Sequence, residues 1–124
     1  MDFICVTNNE TLYNKYKDDF EIRFYDIPLR DIMVKVRDMV HDGHKILTHP
    51  LSGSVKPGET TIKSIFVTKK KSGLDHESLI LIETSIEVCD KFVKRHFTYK
   101  KSREDFETVD LSLAESALVS MSSF

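Results

Sequence analysis

Apolar residues recur along this chain in two periods, and the switches between them mark its elements. Phe3-Ile4-Cys5-Val6 is an unbroken apolar run, the pattern of a strand covered on both faces. Thr7-Asn8-Asn9 closes it, and either asparagine can cap the helix that follows by accepting an orphan backbone N–H. Leu12, Tyr13, Tyr16 and Phe20 give that first helix its spacing. Glu21 to Tyr25 alternates as a second strand, with Ile22 and Phe24 opposing Arg23 and Tyr25. Pro28 suits the first turn of a second helix, where a missing N–H costs nothing. Leu29, Ile32, Val36, Met39 and Val40 form its apolar stripe, with Arg30, Asp31, Lys35, Arg37 and Asp38 on the other side. Gly43 stands where a left-handed helix stop is expected.

Lys45 to Thr48 reads as a third strand, and Thr61 to Thr68, rich in β-branched residues, as a fourth. Lys70-Lys71-Ser72-Gly73 is a turn, and Asp75 is positioned to cap a third helix. Leu79, Ile82, Ile86, Cys89, Val93 and His96 recur there at steps of three and four, widened by Leu81, Val88 and Phe92. Ser102 to Asp105 is a near capping box, with Asp in place of the usual Glu or Gln. Phe106, Val109, Leu113 and Ala117 give a last helix, and Ser120 to Phe124 is expected to fray.

Strands alternating with amphipathic helices predict an α/β fold over residues 1–124, one domain: a three-layer α/β/α sandwich around a mainly parallel four-stranded sheet. The fourth strand is open to a second reading. A parallel crossover takes about a dozen residues or more and is usually helical, and Pro50 to Thr60 has no helical period. An antiparallel edge strand is the alternative.

Composition narrows the class. With 124 residues, 40% hydrophobic and 31% charged, the chain can bury one sizeable core. A formal charge of −2 lacks the basic excess of a nucleic-acid footprint, and Lys69-Lys70-Lys71 reads as a solvated turn. Cys5 and Cys89 sit in apolar settings, as reduced core residues of a cytoplasmic protein. Met1-Asp2-Phe3 is too acidic for a secretory signal, and no apolar run approaches the ~20 residues of a membrane helix.

Candidate chemistry collects in the loop after the third strand, which carries two of the 3 prolines and two of the 4 glycines. Parallel α/β sheets place ligands beyond the carboxyl ends of their strands. That rule selects Asn8 and Asn9 after the first strand, Asp26 after the second, and His49 with Ser52-Gly53-Ser54 after the third. His49 can serve as acid or base, or anchor its loop by hydrogen bonding. Ser52, Gly53 and Ser54 can cradle an anion with Lys56 adding charge, or form a self-satisfied turn. The stretch matches no phosphate-loop or dinucleotide fingerprint, and no nucleophile elbow supports a triad of Ser52 or Ser54 with His49 and Asp26. His41, His44 and His49 fall short of the converging ligands zinc requires, and His41 complements a helix dipole without metal. Neither a metal nor another cofactor is expected. The Leu79–Val93 stripe suits a sheet cover or a two-fold homodimer equally.

Gly43-His44-Lys45, the string Leu47-Thr48-His49-Pro50-Leu51-Ser52-Gly53-Ser54-Val55-Lys56-Pro57 and Val109-Asp110-Leu111-Ser112-Leu113 together resemble the GrdX family, as do Thr7-Asn8-Asn9 and Asp75 to Glu87. These are small proteins encoded with the glycine reductase system, whose selenium-dependent enzymes serve amino-acid-fermenting anaerobic bacteria. The family brings no established catalytic residues. The chain has no selenocysteine position and no redox cysteine pair, so the resemblance implies an accessory protein. Its expected partners are reductase components or a small anionic ligand at the Asn8–His49–Ser54 edge. The alternative is a small enzyme with His49 as acid or base on an anionic or phosphorylated metabolite held by Ser52, Ser54 and Lys56.

Overall fold

Every residue of Phe3–Thr7 (β1) is buried, because this apolar run lies at the centre of the sheet with layers on both sides. The computed structural model describes residues 2–51, 61–93 and 103–122. After β1 come α1 (Glu10–Tyr16), β2 (Glu21–Phe24), α2 (Leu29–His41), β3 (Ser64–Thr68), α3 (His76–Val93) and α4 (Arg103–Ser122). β2 pairs parallel with β1, Ile4 opposite Glu21 and Thr7 opposite Phe24. β3 pairs antiparallel on the other side, Phe3 opposite Thr68 and Thr7 opposite Ser64.

Among the described residues the sheet therefore has three strands in the order β2-β1-β3 and mixed direction, which corrects the expectation of four mainly parallel strands. Lys45 to Thr48, expected as a strand, makes one isolated antiparallel bridge from Ile46 to Val67. The hydrogen bonds show why no ladder grows from it. Leu47 N–H reaches the Phe66 carbonyl at 2.8 Å, but the Phe66 N–H is taken by the Thr48 hydroxyl at 3.0 Å. Lys45 N–H goes to the Thr68 hydroxyl at 2.8 Å, not to the Thr68 carbonyl. Side chains occupy the groups a further strand would need.

Alternation along β1 sends its residues to two cores. Ile4 and Val6, with Ile65 and Val67 of β3, meet Ile32, Val36 and Val40 of α2 and Ile82 and Ile86 of α3. Phe3 and Cys5, with Phe66, meet Leu12, Phe20 and Ala114 of α4. Helices thus cover both faces. The α3 stripe at Ile82, Ile86 and Cys89 is buried in the first core, while Ile80 looks outward. Both cysteines are free thiols, and burial pushes each above its ordinary pKa. A raised thiol pKa disfavours the thiolate a nucleophile needs.

Local signals account for the helix ends. Asn9 is the cap of α1, its Oδ1 accepting the Leu12 N–H at 3.2 Å. Asp75 caps α3 through the Ser78 N–H at 3.1 Å. Pro28 falls at the cap position of α2, one residue before the expected first turn. Ser102 of the expected box, His96 and Ser123-Phe124 lie outside the described residues, while Ser120 to Ser122, expected to fray, continue α4. α2 stops in a left-handed turn at Gly43, with φ of 107°, Gly43 N–H on Val40 and His44 N–H on Met39. A Cβ there would lie 3.2 Å from the Lys71 Cβ, whereas one at Gly73 would meet nothing. Gly43→Ala is accordingly expected to cost about 2–3 kcal/mol and Gly73→Ala about 1 kcal/mol, measured by urea denaturation.

α4 departs most from its sequence pattern. Val109 and Leu113, expected inward, are 52% and 37% exposed, while Glu107 and Asp110 are buried with Ala114. The helix is rotated so that Glu107 and Asp110, in place of Val109 and Leu113, face the sheet and α1 and accept from their donors.

Candidate functional site

Beyond Thr7 the chain has run out of ladder partners, and polar side chains take over. Asn9 N–H donates to the Thr7 hydroxyl at 2.9 Å, and that hydroxyl lies 2.7 Å from the Ser64 hydroxyl. Ser64 in turn donates to Asp110 twice, from its backbone N–H to Oδ1 at 3.0 Å and from its hydroxyl to Oδ2 at 2.6 Å. Asn9 Nδ2 bonds Asp110 Oδ2 and the Glu107 carbonyl, each at 3.0 Å. A relay of this kind strengthens each of its members. It ties β1, β3 and α4 together.

Asn8 performs the matching task on the other side. Its Nδ2 donates to the Ile27 and Thr61 carbonyls and its Oδ1 accepts the Lys63 N–H, all at 2.9 Å. Asn8 and Asn9 are almost wholly buried, so these two residues, singled out by sequence, hold the frame of the site. Burial alone raises the Glu107 carboxyl, but bonds from the Thr11 hydroxyl and N–H and from Arg103 outweigh it and hold it below the usual carboxylate range.

Against this frame, between β3 and α4, lies a cavity of about 270 Å³. Thr48, His49, Lys63, Ser64 and Asp110 supply one part of its wall, and Phe66, Leu113, Ala114 and Ala117 another. Its lining comes from β3, from α4 and from Thr48-His49, and includes no residue of β1. Lys63 is only 4% exposed. Burial pushes its ammonium below the ordinary lysine range, opposed by the negative charge of Asp110. His49 is exposed at the mouth, and its Nδ1 accepts the Leu51 N–H at 3.0 Å. The neutral ring consequently carries its proton on Nε2 and offers a donor. Lysine, imidazole and carboxylate thus share one part of the lining, and the rest of it is apolar.

The other sequence candidates separate. Ser52, Gly53, Ser54 and Lys56 lie outside the described residues. Asp26 is drawn to Arg103 Nη2 at 3.0 Å. His41 and His44 border an open groove at the opposite end of the sheet, where Lys71 pairs with Asp42 and Lys69 with Glu21. Nδ1 of His44 lies 2.6 Å from the Thr68 carbonyl. The three histidines thus border two different places, His49 alone at the cavity.

Lys63, Ser64 and Asp110 were not among the sequence candidates. Asp110 had a legible signal, since it shares a helical face with Ala114 and Ala117 at steps of four and three. Lys63 and Ser64 begin a β-branched strand and carry no comparable mark.

A family model described as GrdX-like protein matches residues 4–119. No curated protein matches the chain, and no solved structure does.

Proposed function

The chain belongs to the GrdX-like protein family, and from that premise we propose an accessory role in selenium-dependent glycine reduction, without catalysis of its own. It acts in the cytoplasm of an amino-acid-fermenting anaerobe and engages a reductase component. A small anionic ligand occupies the cavity between β3 and α4. The carrying observation is that cavity, with Lys63 buried in its wall and His49 at its mouth.

The alternative of an enzyme using His49 as general base has less support. The Leu51 N–H already occupies the lone pair such a base requires, and the other nitrogen is a donor. Binding uses that donor as it stands. For the protein partner, the α3 stripe is engaged in the core, which favours a reductase component over a second copy joined through Leu79–Val93.

Thermal melting of the purified protein with inorganic phosphate and with acetate tests the ligand. Both anions are expected to raise the midpoint, by ligand linkage, and Lys63→Met to abolish the rise. His49→Ala is expected to weaken binding about tenfold, through loss of a hydrogen bond to a charged group. Binding should fall as pH climbs, earlier than for an ordinary lysine, because the Lys63 ammonium is depressed and its charge is lost. No shift with either anion removes the ligand. Failure of the protein to co-purify with any reductase subunit, and to alter reductase activity in reconstituted extracts, removes the accessory role.

A further inference from the structure

The two edges of the sheet are finished differently. Outside β3, the segment Lys45 to Thr48 takes up the hydrogen-bonding groups of the edge. Leu47 N–H goes to the Phe66 carbonyl and Thr68 N–H to the Lys45 carbonyl, both at 2.8 Å. Phe66 N–H goes to the Thr48 hydroxyl at 3.0 Å. β2 is the other edge, and among the described residues no strand pairs on its far side. Thr7 lies opposite Phe24, and its carbonyl accepts the Tyr25 N–H at 2.9 Å, which fixes the alternation along β2. Arg23 therefore turns its N–H and C=O toward β1, while Ile22 and Phe24 turn theirs outward. Among the described residues no hydrogen bond reaches those outward groups. A row of this kind is a template for another strand.

The side chains of β2 say which strand fits. Glu21 and Arg23 share one face, along an open groove against Asp38, Met39 and His41 of α2. Ile22 and Phe24 share the other face, where both are only half-buried and Phe24 stacks on Tyr13 of α1 at 5.3 Å. Within one chain, Arg23 Nε lies 3.4 Å from Glu21 Oε2, and these side chains are 41% and 38% exposed. Lys69 also reaches Glu21, at 3.6 Å. Ion pairs this exposed contribute little and exchange partners easily.

Antiparallel pairing of β2 with a second β2 has one register that satisfies these charges. With Ile22 opposite the partner's Ile22, each Glu21 lies opposite the partner's Arg23, giving two cross-strand ion pairs about a two-fold axis. The same register sets the two Ile22 residues as a hydrogen-bonded pair, each N–H meeting the other's carbonyl. Sliding by two residues brings Glu21 against the partner's Glu21, or Arg23 against the partner's Arg23. A slip of one residue mismatches both the faces and the outward groups. We propose that β2 is a dimerisation edge, joining two copies of this chain antiparallel into one continuous six-stranded sheet. This is independent of the cavity between β3 and α4 and of its ligand.

Analytical ultracentrifugation of the full chain over a concentration series tests it, with hydrogen exchange of the Ile22 and Phe24 amides measured alongside. A monomer–dimer equilibrium is expected, with exchange at those two amides slowing as dimer forms. Glu21→Arg and Arg23→Glu are each expected to weaken dimerisation about tenfold, since both symmetry-related pairs become like-charged. Mixing the two variants is expected to restore the dimer, as one chain then offers two arginines and the other two glutamates. Circular dichroism checks the fold of each variant, and if one misfolds the wild-type amides carry the test. A wild-type monomer at roughly 1 mM overturns the proposal and leaves the edge to a strand of some other protein. A dimer that leaves exchange at Ile22 and Phe24 unaltered overturns it as well, because another face then joins the copies. So does a dimer that neither substitution weakens, or folded variants that fail to pair when mixed.

Discussion

Asp110→Ala is expected to destabilise the protein by about 2–4 kcal/mol, since two buried N–H donors lose a charged acceptor at once. Asp110 accepts from Ser64 N–H, Ser64 O–H and Asn9 Nδ2–H, and only 3% of it is exposed. The Ser64 hydroxyl can rotate to another acceptor, but its backbone N–H is fixed by β3 and Asn9 Nδ2 by the α1 cap. Each orphaned donor costs about 1–3 kcal/mol. Two smaller terms offset part of that: alanine gains about 0.5 kcal/mol of helix propensity, and water can enter from the adjoining cavity. Asp110→Asn keeps the shape but turns an amide N–H toward one of the donors, so about 2 kcal/mol of loss is expected. Urea denaturation at neutral pH measures both. A loss under about 1 kcal/mol for the alanine variant would show that the junction of β1, β3 and α4 does not depend on this carboxylate.

Phe66→Ala is expected to cost about 3–5 kcal/mol, the usual range for deleting a buried phenylalanine. Phe66 is 1% exposed and central to an aromatic cluster. Its ring centroid lies 5.5 Å from Phe3 in an edge-on arrangement and 6.2 Å from Phe20. Such pairs add about 0.5–1.5 kcal/mol beyond area burial. The void left behind joins the cavity beside α4, so the surroundings have no rigid wall to collapse upon. A fall in melting temperature of roughly 10–20 °C follows from the size of the chain. Phe66→Leu fills much of the space and is expected to cost about 1–2 kcal/mol. Val119→Ala, at a residue 68% exposed, should change stability by less than about 0.5 kcal/mol and serves as the control. If the control and Phe66→Ala melt alike, the second core is not the structural unit described above.

How far the site could be read from sequence differs residue by residue. His49 was legible because a histidine in a Pro- and Gly-rich loop after an apolar segment is a local feature. Asn8 and Asn9 were legible as the end of β1, although their part in framing the cavity depends on partners far away in sequence, at Thr61, Lys63, Glu107 and Asp110. Lys63 and Ser64 were not legible. A lysine just before a strand reads as exposed, and only the meeting of distant segments makes this one buried.

The same distinction governs the fold. α2 is written in its sequence, because an apolar stripe at helical spacing and a glycine at the stop act within a few residues of one another. β1 is written likewise, as an apolar run needs cover on both faces wherever that cover comes from. The number and direction of the strands are not local properties. Lys45 to Thr48 has strand-like composition, yet it forms one bridge because Thr48 and Thr68 side chains take the N–H groups a ladder would use. The rotation of α4 is equally non-local. Its helical period alone turns Val109 and Leu113 inward, but burying Asp110 and Glu107 satisfies donors of Thr11 and Ser64. By itself the sequence determined the four helices and the strands β1, β2 and β3, and that a histidine-bearing loop follows Ile46. Only tertiary structure decided that the sheet is mixed and three-stranded, and that the cavity behind His49 has a buried lysine and a saturated carboxylate in its wall. The reason is that burial and hydrogen-bond satisfaction depend on which distant segments meet.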